Sequence, residues 1–182
     1  LNRNPQPMQN NKFDPVAGLP FQLRPDLTLV LAPNPSPMTY LGTNTYVLGT
    51  DSLAVIDPGP ASQEHLAALR TVIAGRSVSH IVLTHSHLDH SPLARPLADA
   101  TGAKVVAFGD SNAGRSAIMQ TLADAGYAGG GEGMDWDFKP DQTLAHGEDL
   151  CGNGWTLKAI HTPGHIGNHL CFQWQDAIFT GD

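Results

Sequence analysis

IVLTHSHLDH, residues 81–90, is an apolar β-branched run that ends in three histidines and an aspartate. Its first three residues have the composition of a buried strand, which Thr84 closes. Alternate side chains of an extended segment lie on one side, so His85, His87 and Asp89 can converge without a long loop. Imidazole nitrogens and carboxylate oxygens are the usual ligands of a zinc-like ion, and a catalytic site keeps one position open for water. The stretch therefore predicts a buried strand that delivers a metal site.

Histidines without a metal role are the alternative interpretation of this stretch. The chain has nine histidines in 182 residues, and a single histidine is more often a surface or hydrogen-bonded core residue than a ligand. Here His85, His87, Asp89 and His90 fall together at the end of an apolar strand. Such groups are costly to desolvate unless something binds them. Further ligand-type residues recur downstream, which favours the metal site.

A second cluster, IHTPGHIGNH at residues 160–169, also follows an apolar strand. The Pro163-Gly164 pair predicts a tight turn that presents His165 on a loop as a ligand. His161 and His169 could each orient a ligand from behind or cap a turn. Asp182 follows another strand and a glycine, and a carboxylate there could bridge two cations because each oxygen can take one.

A pair of such cations activates a water for attack on a polarised carbonyl or phosphoryl group. No serine or cysteine nucleophile is then needed. The sequence also lacks a Gly-x-Ser-x-Gly elbow and a Gly-x-x-x-x-Gly-Lys phosphate loop. The pattern therefore predicts a metal-dependent hydrolase.

Charge and hydropathy narrow the partners and the compartment. The formal charge of -7 disfavours long-range attraction to nucleic acid or to an anionic membrane. Bound divalent cations would reverse that sign locally, so a phosphodiester substrate stays open. No apolar run approaches the length of about eighteen residues that a membrane span needs, and no secretory signal pattern begins the chain. We therefore expect a cytoplasmic protein without a membrane partner, and the oligomeric state stays open. Cys151 and Cys171 are expected to be buried free thiols.

The rest of the chain alternates strand and helix signals. Residues 1–26, rich in Asn, Pro and Gln, are expected to form a weakly ordered lead-in to a domain at 27–182. A helix is predicted over 60–74, with Ser62 as its N-cap, and another after Ser91-Pro92. The predicted strands are 27–31, 45–48, 53–57, 81–84, 104–108, 155–160, 169–174 and 177–180.

The middle of the chain contains a predicted helix and a glycine-rich segment. The helix predicted over 111–125 places Ile118, Met119 and Leu122 on one side, which we expect to pack in the core. The glycine-rich segment 126–133 is either a mobile surface loop or a flap beside the site. Asp57, before Pro58-Gly59, is either a turn-forming residue or part of the site.

Three motifs together resemble those of the metallo-β-lactamase fold superfamily. They are the run His85 to His90 (HSHLDH), the run His161 to His165 (HTPGH) and the final Gly181-Asp182. Within that superfamily, the segments 34–38, 42–46 and 57–59 look most like the β-lactamase-like protein 2 group, close to the glyoxalase II hydrolases. The resemblance covers most of the chain from about Asn34 onward.

This resemblance implies an α/β fold, a four-layer αβ/βα sandwich with metals at one edge of two facing sheets. The C-terminal part of that fold is expected to be missing, because the family's last metal-binding histidine has no counterpart before Asp182. We expect the fragment to be poorly active for that reason. The implied cofactors are two divalent ions, with zinc expected first and iron or manganese as alternatives.

The resemblance also assigns roles to residues. The first metal would be held by three histidines and the second by an aspartate and a histidine, with a shared carboxylate between them. Asp57 would support a ligand. Apart from the resemblance, His161 and His169 are expected to support ligands from behind, and Asp89 is also expected to be catalytic. The residues implied as ligands are His85, His87, His165, Asp89, His90 and Asp182.

The predicted function is hydrolysis of an ester, thioester or phosphodiester. The substrate is expected to be a small-molecule thioester or ester, as for glyoxalase II, or single-stranded RNA, as for relatives of the β-lactamase-like protein 2 group. A mononuclear iron oxygenase on the same fold is one alternative. A non-catalytic scaffold that keeps the metal as a structural clip is the other.

Overall fold

Seven strands form the first sheet, and they lie side by side in the order in which the chain makes them. The computed structural model describes residues 13–127 and 133–182. The first four strands of this sheet pair antiparallel, and the fourth to the seventh pair parallel. The strands are β1 Pro20–Arg24, β2 Leu27–Leu31, β3 Asn44–Leu48, β4 Ser52–Ile56, β5 Ser77–Val82, β6 Lys104–Ala107 and β7 Gln142–Thr143.

The second sheet has four antiparallel strands in the order β11-β10-β9-β8. Alternation along β9 buries Trp155 and Leu157 against the first sheet and leaves Lys158 exposed on the other face. The strands are β8 Asp149–Gly152, β9 Trp155–His161, β10 Leu170–Trp174 and β11 Ala177–Phe179.

Three helices complete the described chain: α1 Gln63–Ile73, α2 Ala94–Thr101 and α3 Ala117–Asp124. The apolar faces of α1 and α2 pack on the side of the first sheet that faces away from the second, with Leu69 and Leu97 fully buried there. A second core fills the space between the sheets, around Phe172 and Leu157. Helices, first sheet and second sheet are thus three successive layers of the predicted sandwich. The fourth, a helix layer outside the second sheet, is not among the elements of residues 13–127 and 133–182.

Local signals explain where α1 and α2 begin. Ser62 is the N-cap of α1 as predicted, and its hydroxyl accepts a hydrogen bond from the backbone N–H of His65. Helix α2 begins at Ala94, later than Ser91-Pro92 indicated, and no side chain caps it. Pro96 is tolerated because it lies in the first turn, where backbone N–H groups have no partner within the helix.

Several predictions from the sequence need correction. The lead-in at 1–26 contains β1, whose backbone pairs with β2, so the ordered domain extends at least to Pro20; residues 1–12 lie outside the described residues. Helix α3 begins at Ala117 rather than Ser111, and it buries none of its residues. The two cysteines are free, but Cys151 is exposed and Cys171 only partly buried. No helix within the described part of the chain is long and apolar enough to cross a membrane.

One edge of the sandwich collects the ends of strands from both sheets. Strands β4 and β5 are parallel, so Asp57 and the loop that starts at His85 leave the first sheet at the same edge. In the second sheet β9 and β11 both run antiparallel to β10 and therefore end together, one before His165 and the other before Asp182. Ligand sites of α/β folds form beyond the carboxyl ends of strands.

Candidate metal centre

His85, His87 and His165 turn one ring nitrogen each toward a common point. The Nδ1 atom of His87 lies 3.1 Å from Nε2 of His85 and 2.8 Å from Nε2 of His165. Asp182 completes the group, with Oδ2 3.6 Å from Nε2 of His165 and 3.9 Å from Nε2 of His85. Nitrogens bound tetrahedrally to one zinc ion are separated by about 3.3 Å, given Zn–N distances near 2.0 Å. The four residues are therefore spaced as one ion requires.

Asp89, His90 and Asp182 form a second group of the same kind. The Nε2 atom of His90 lies 3.2 Å from Oδ2 of Asp89 and 3.3 Å from Oδ1 of Asp182. That nitrogen is buried, yet it makes no hydrogen bond of good geometry. Buried polar atoms normally have a hydrogen-bond partner. A buried nitrogen that has none and lies beside two carboxylates is therefore a candidate ligand for a cation.

Asp182 belongs to both groups. Its Oδ1 faces His90 and its Oδ2 faces His85 and His165. The two oxygens of one carboxylate thus point into two neighbouring sets of ligands. The predicted bridging position of Asp182 is consistent with this geometry.

Asp57 supports both groups from the buried side. Its Oδ1 accepts the backbone N–H of Thr84 at 2.8 Å, and its Oδ2 accepts the Thr84 hydroxyl at 2.7 Å and Nδ1 of His90 at 3.0 Å. Because the Thr84 hydroxyl donates its only proton to Asp57, it must accept from Nδ1 of His85, 2.9 Å away. One carboxylate therefore orients the rings of His85 and His90 so that the Nε2 atom of each faces the cluster.

The electrostatics of the first group favour neutral imidazoles. Burial, together with the neighbouring histidines, lowers the pKa of His85. Burial and His165 also lower the pKa of His87, although Asp89 and Asp182 oppose this. Metal ions bind the neutral ring. Both histidines are therefore in the protonation state that a cation requires at neutral pH.

The second group favours positive charge at its centre. Burial opposes a charged His90, but the carboxylates of Asp57, Asp182 and Asp89 outweigh it and raise the pKa of that ring. Burial also opposes ionisation of Asp89, yet the neighbouring His90 ring and the hydrogen bond from Thr43 lower its pKa to about 2. The neighbouring His90 ring likewise lowers the pKa of Asp182. Acidic groups that stay ionised in a half-buried site make a good cation site.

Direct contacts hold the two histidine loops together. The buried Asn168 donates to Ser86 Oγ and to the carbonyl of Asp110, both at 2.9 Å. Gly167 and Gly114 pack backbone to backbone, and a Cβ on Gly114, which has a φ of +73°, would lie 2.0 Å from the Gly167 carbonyl oxygen. The bond to Ser86 fixes the His165 loop against the His87 loop, and the other two contacts fix it against the segment that follows β6.

His161 and His169 lie near the cluster in different ways. The Nε2 atom of His161 lies 2.8 Å from the carbonyl of Gly167 and its ring stacks on Phe108, so it closes the turn that carries His165. The ring of His169 lies 5.2 Å from that of His85, and its Nδ1 contacts the Thr162 hydroxyl. Within the described residues His161 therefore takes the turn-capping alternative, and neither histidine is among the grouped ligands.

Three residues that support the ligands could not be assigned that role from the sequence. Thr84 links Asp57 to His85, and the Thr43 hydroxyl donates to Oδ2 of Asp89 at 2.8 Å. His65, fully buried on α1, contacts Thr45, whose hydroxyl in turn donates to the backbone carbonyl of Asp57. For His65 the sequence carries a weak signal, because it lies on the same face of α1 as Leu69. Thr43 and Thr84 lie beyond strand ends, where a threonine gives no sign of its partner.

Two cavities flank the cluster. The larger, about 700 Å³, opens beside His165 between α3 and the loop that carries that histidine. The smaller, about 210 Å³, lies on the other side, against Asp89, His90 and Asp182. The candidate ligands are therefore reachable from two directions.

Comparison with known proteins agrees with this geometry. The sequence model of the Metallo-beta-lactamase superfamily matches residues 38–182, which include both histidine clusters and Asp182. The chain belongs to the metallo-β-lactamase superfamily. The predicted superfamily and fold are thereby confirmed.

Three curated relatives are identical to this chain at about a third of the aligned positions. The chain is 32% identical over 158 residues to the lactamase-like protein aptB of Emericella nidulans, covering 84% of this chain and 43% of that protein. It is 32% identical over 172 residues to an atrochrysone carboxyl ACP thioesterase of Aspergillus fumigatus, covering 88% of this chain and 45% of that protein. It is also 31% identical over 156 residues to thioesterase pkgB of Emericella nidulans, covering 82% and 38%. The chain thus spans less than half the length of these relatives.

Solved structures show the same fold. The chain superposes on the subclass B3 metallo-β-lactamase BJP-1 of Bradyrhizobium japonicum with a TM-score of 0.64 and 24% identity, covering 92% of this chain and 63% of that one. For FEZ-1 of Legionella gormanii the TM-score is 0.68 at 19% identity, covering 93% and 65%.

Proposed function

We propose that this metallo-β-lactamase-fold chain forms the metal-binding part of a thioesterase that uses two divalent cations, with zinc expected first. The observation that carries the proposal is the position of Asp182, one oxygen of which faces His90 and the other His85 and His165. A single-ion site would not need two ligand groups that meet at one carboxylate. The hydrolase class itself follows from the superfamily and from the thioesterase names among the relatives.

The donors present fit the cations. His85, His87 and His165 would hold one ion, Asp89 and His90 the other, with Asp182 shared. The buried and unpartnered Nε2 of His90 is the observation that tests this fit. Bound cations would polarise the thioester carbonyl and lower the pKa of a water toward neutrality.

The residues of the chain would orient these components. Asp57 and Thr84 hold the His85 and His90 rings so that neither can rotate away from the cluster. Asp89, with a pKa of about 2, is a weak base at neutral pH, so its proposed catalytic role is to accept a hydrogen bond from water and to keep that water in place.

A thioester is the better supported of the two expected substrates. Two relatives described above are named thioesterases, and the name of one of them gives atrochrysone carboxyl ACP as its substrate. No feature of the described residues favours single-stranded RNA, and the charge of -7 disfavours it. Placement in the glyoxalase II group has no support from the names of these relatives. The cytoplasmic location stays a prediction.

The alternatives to a two-metal enzyme fit the site less well. An iron oxygenase with one ion would leave Asp89 and His90 without a partner. A structural clip would have four protein ligands in a closed site. Here the site is open instead: the side chains of His165 and Asp182 are 35% and 43% exposed to solvent, and each lines one of the two cavities.

Thioester turnover with metal removal and return tests the proposal. The protein in its complete natural form would be assayed for thiol release from N-acetylcysteamine thioesters, after treatment with a chelator and again after addition of zinc, manganese or iron(II). We expect activity to disappear on chelation and return with the metal. S-lactoylglutathione and a fluorescent RNA oligomer serve as the comparison substrates. Turnover of RNA but not of thioesters, or turnover unchanged by complete metal removal, would contradict the proposal.

A further inference from the structure

The larger cavity has the walls of a site for an apolar ligand. Its volume of about 700 Å³ lies in the range of small-molecule pockets. Met119 enters it from α3, and Met134, Trp136 and Ile166 add apolar surface from two loops. Thioether and aromatic side chains adapt to flat apolar ligands. His165 lies in the wall nearest the metal cluster.

We infer that this cavity binds the acyl group of the substrate, and that the acyl group is large and aromatic. The inference rests on the proposed thioesterase function and names the chemistry of the substrate. A volume of 700 Å³ corresponds to roughly twenty water molecules. An acetyl group would leave most of these waters against apolar walls, whereas a fused-ring acyl group would displace them.

The exposed apolar residues of helix α3 indicate a ligand-binding surface rather than a packed core on this side of the molecule. Met119 is 42% exposed and Ile118 74% exposed, and none of the residues of the helix is buried. The apolar face that the sequence placed in the core therefore faces the cavity through Met119. The N-cap Ser116 fixes where the helix starts, since its hydroxyl accepts the backbone N–H of Met119.

Trp136 is the aromatic surface of the cavity. Its side chain is 52% exposed, whereas Trp155 and Trp174 are buried in the core. The guanidinium carbon of Arg115 lies 5.3 Å from the centre of its ring, which restrains the indole by a cation–π contact. An indole held in place but open to solvent offers an aromatic acyl group a stacking partner at little entropic cost.

The position of the cluster decides which half of the thioester enters this cavity. The backbone contact of Gly114 with Gly167 places the segment that carries Arg115 directly against the His165 loop. The cavity on the other side of the cluster is smaller and is lined by polar groups such as Thr43 and Asn44. A polar thiol fits that side, and the apolar acyl group fits the side of Trp136.

Matched thioesters test the inference. The complete natural protein, loaded with metal, would be assayed on acetyl and 2-naphthoyl thioesters of N-acetylcysteamine, and on the same acyl groups carried by pantetheine. We expect kcat/KM to be about 100-fold higher for the naphthoyl than for the acetyl group with either thiol. Trp136→Ala should reduce the value for naphthoyl about 10-fold and leave that for acetyl within about 2-fold. Trp136→Phe should restore most of the loss.

Phe13→Ala is the matched control, because Phe13 is an exposed aromatic that lines neither cavity. Binding gives a readout independent of turnover: a ketone analogue of the naphthoyl thioester, with CH₂ in place of sulfur, should quench tryptophan fluorescence in the wild type and not in Trp136→Phe.

Four results would overturn the inference. Thioester hydrolysis without an acyl preference would remove the acyl site and leave the proposed function standing, and so would a Trp136→Ala loss equal for both acyl groups. A loss that follows the thiol rather than the acyl group would show that the cavity binds the thiol. Absence of metal-dependent hydrolysis with every thioester would overturn the proposed function and, with it, the inference.

Discussion

The two sheets supply unequal halves of the candidate metal cluster. The loop that follows β5 in the first sheet brings His85 and His90, which are 1% and 4% exposed and are hydrogen-bonded through Thr84 and Asp57. The second sheet brings His165 and Asp182, whose side chains keep 35% and 43% of their exposure. The first sheet therefore supplies the rigid half of the cluster, and the second sheet supplies its more exposed ligands.

Removal of a ligand from the rigid half should have the largest effect. His85→Ala should lower metal-dependent turnover by at least about 10³-fold, since bound cations supply several kcal/mol of transition-state stabilisation. The matched control is His146→Ala, because His146 is exposed and outside both ligand groups. Thiol release and circular dichroism would be measured on both variants. Full activity of His85→Ala, or equal losses in both, would contradict the assignment.

The buried His65, which supports Asp57 through Thr45, should make the stability of the protein depend on pH. Burial lowers the pKa of His65 to about 4, below the ordinary value of 6.5. The unfolded chain therefore binds a proton between these values that the folded chain does not, and stability is full above about pH 6.5. It should fall by about 3 kcal/mol as the pH drops toward 4.

His65→Gln isolates this contribution, because glutamine can still donate to Thr45 but does not titrate. Urea unfolding at pH 7, 5.5 and 4 would be compared between the two proteins, whose metal ligands are the same. The wild type should lose about 3 kcal/mol more than the variant over this range. Parallel losses would show that His65 is not held neutral.

Asp57 should matter less than a ligand and more than a surface carboxylate. Asp57→Asn cannot accept hydrogen bonds from Thr84 and His90 with both side-chain atoms, and we expect metal affinity to fall about 10- to 100-fold. Competition with a chromophoric chelator measures the affinity. Asp51→Asn, in the exposed turn between β3 and β4, is the control. An affinity unchanged in Asp57→Asn would remove the claimed rigidity of the first half.

Two threonine substitutions, one beside each half of the cluster, should change metal affinity by different amounts, and these are the smallest effects that we expect. Thr43→Val removes the hydroxyl that donates to Asp89, and metal affinity should fall by about 1 kcal/mol, or a few-fold. Thr180→Val, beside the exposed end of the second half, should change it by less than about 0.5 kcal/mol. Isothermal titration with zinc would show both values. Equal effects would mean that the two halves are held alike.

The part of the candidate cluster between His85 and His90 could be predicted because its signals are local. The run His85 to His90 is contiguous and follows a strand, so strand geometry alone brings its side chains together. The pairing of this run with His165 and Asp182 came from the resemblance of three motifs to one superfamily, since no local signal links positions that far apart in the chain.

The parts that could not be predicted depend on tertiary contacts. Periodicity shows that α3 has an apolar face at Met119, but not whether protein or solvent covers it. The hydrogen bonds of Thr84 and His65 join residues 20 or more positions apart, and neither residue type signals its partner. Strand β1 could not be predicted from its own residues alone, because the alternation of Phe21 to Arg24 is only four residues long and is flanked by Pro20 and Pro25 within a stretch rich in Asn, Pro and Gln.

Metal content is the most direct test of the shared carboxylate. The complete natural protein would be saturated with zinc and dialysed, and zinc and protein would be measured by plasma emission spectrometry and amino-acid analysis. The two ligand groups that meet at Asp182 predict two zinc ions per chain. A wild-type protein that retains only one ion per chain, with Asp182→Asn retaining the same, would contradict the account.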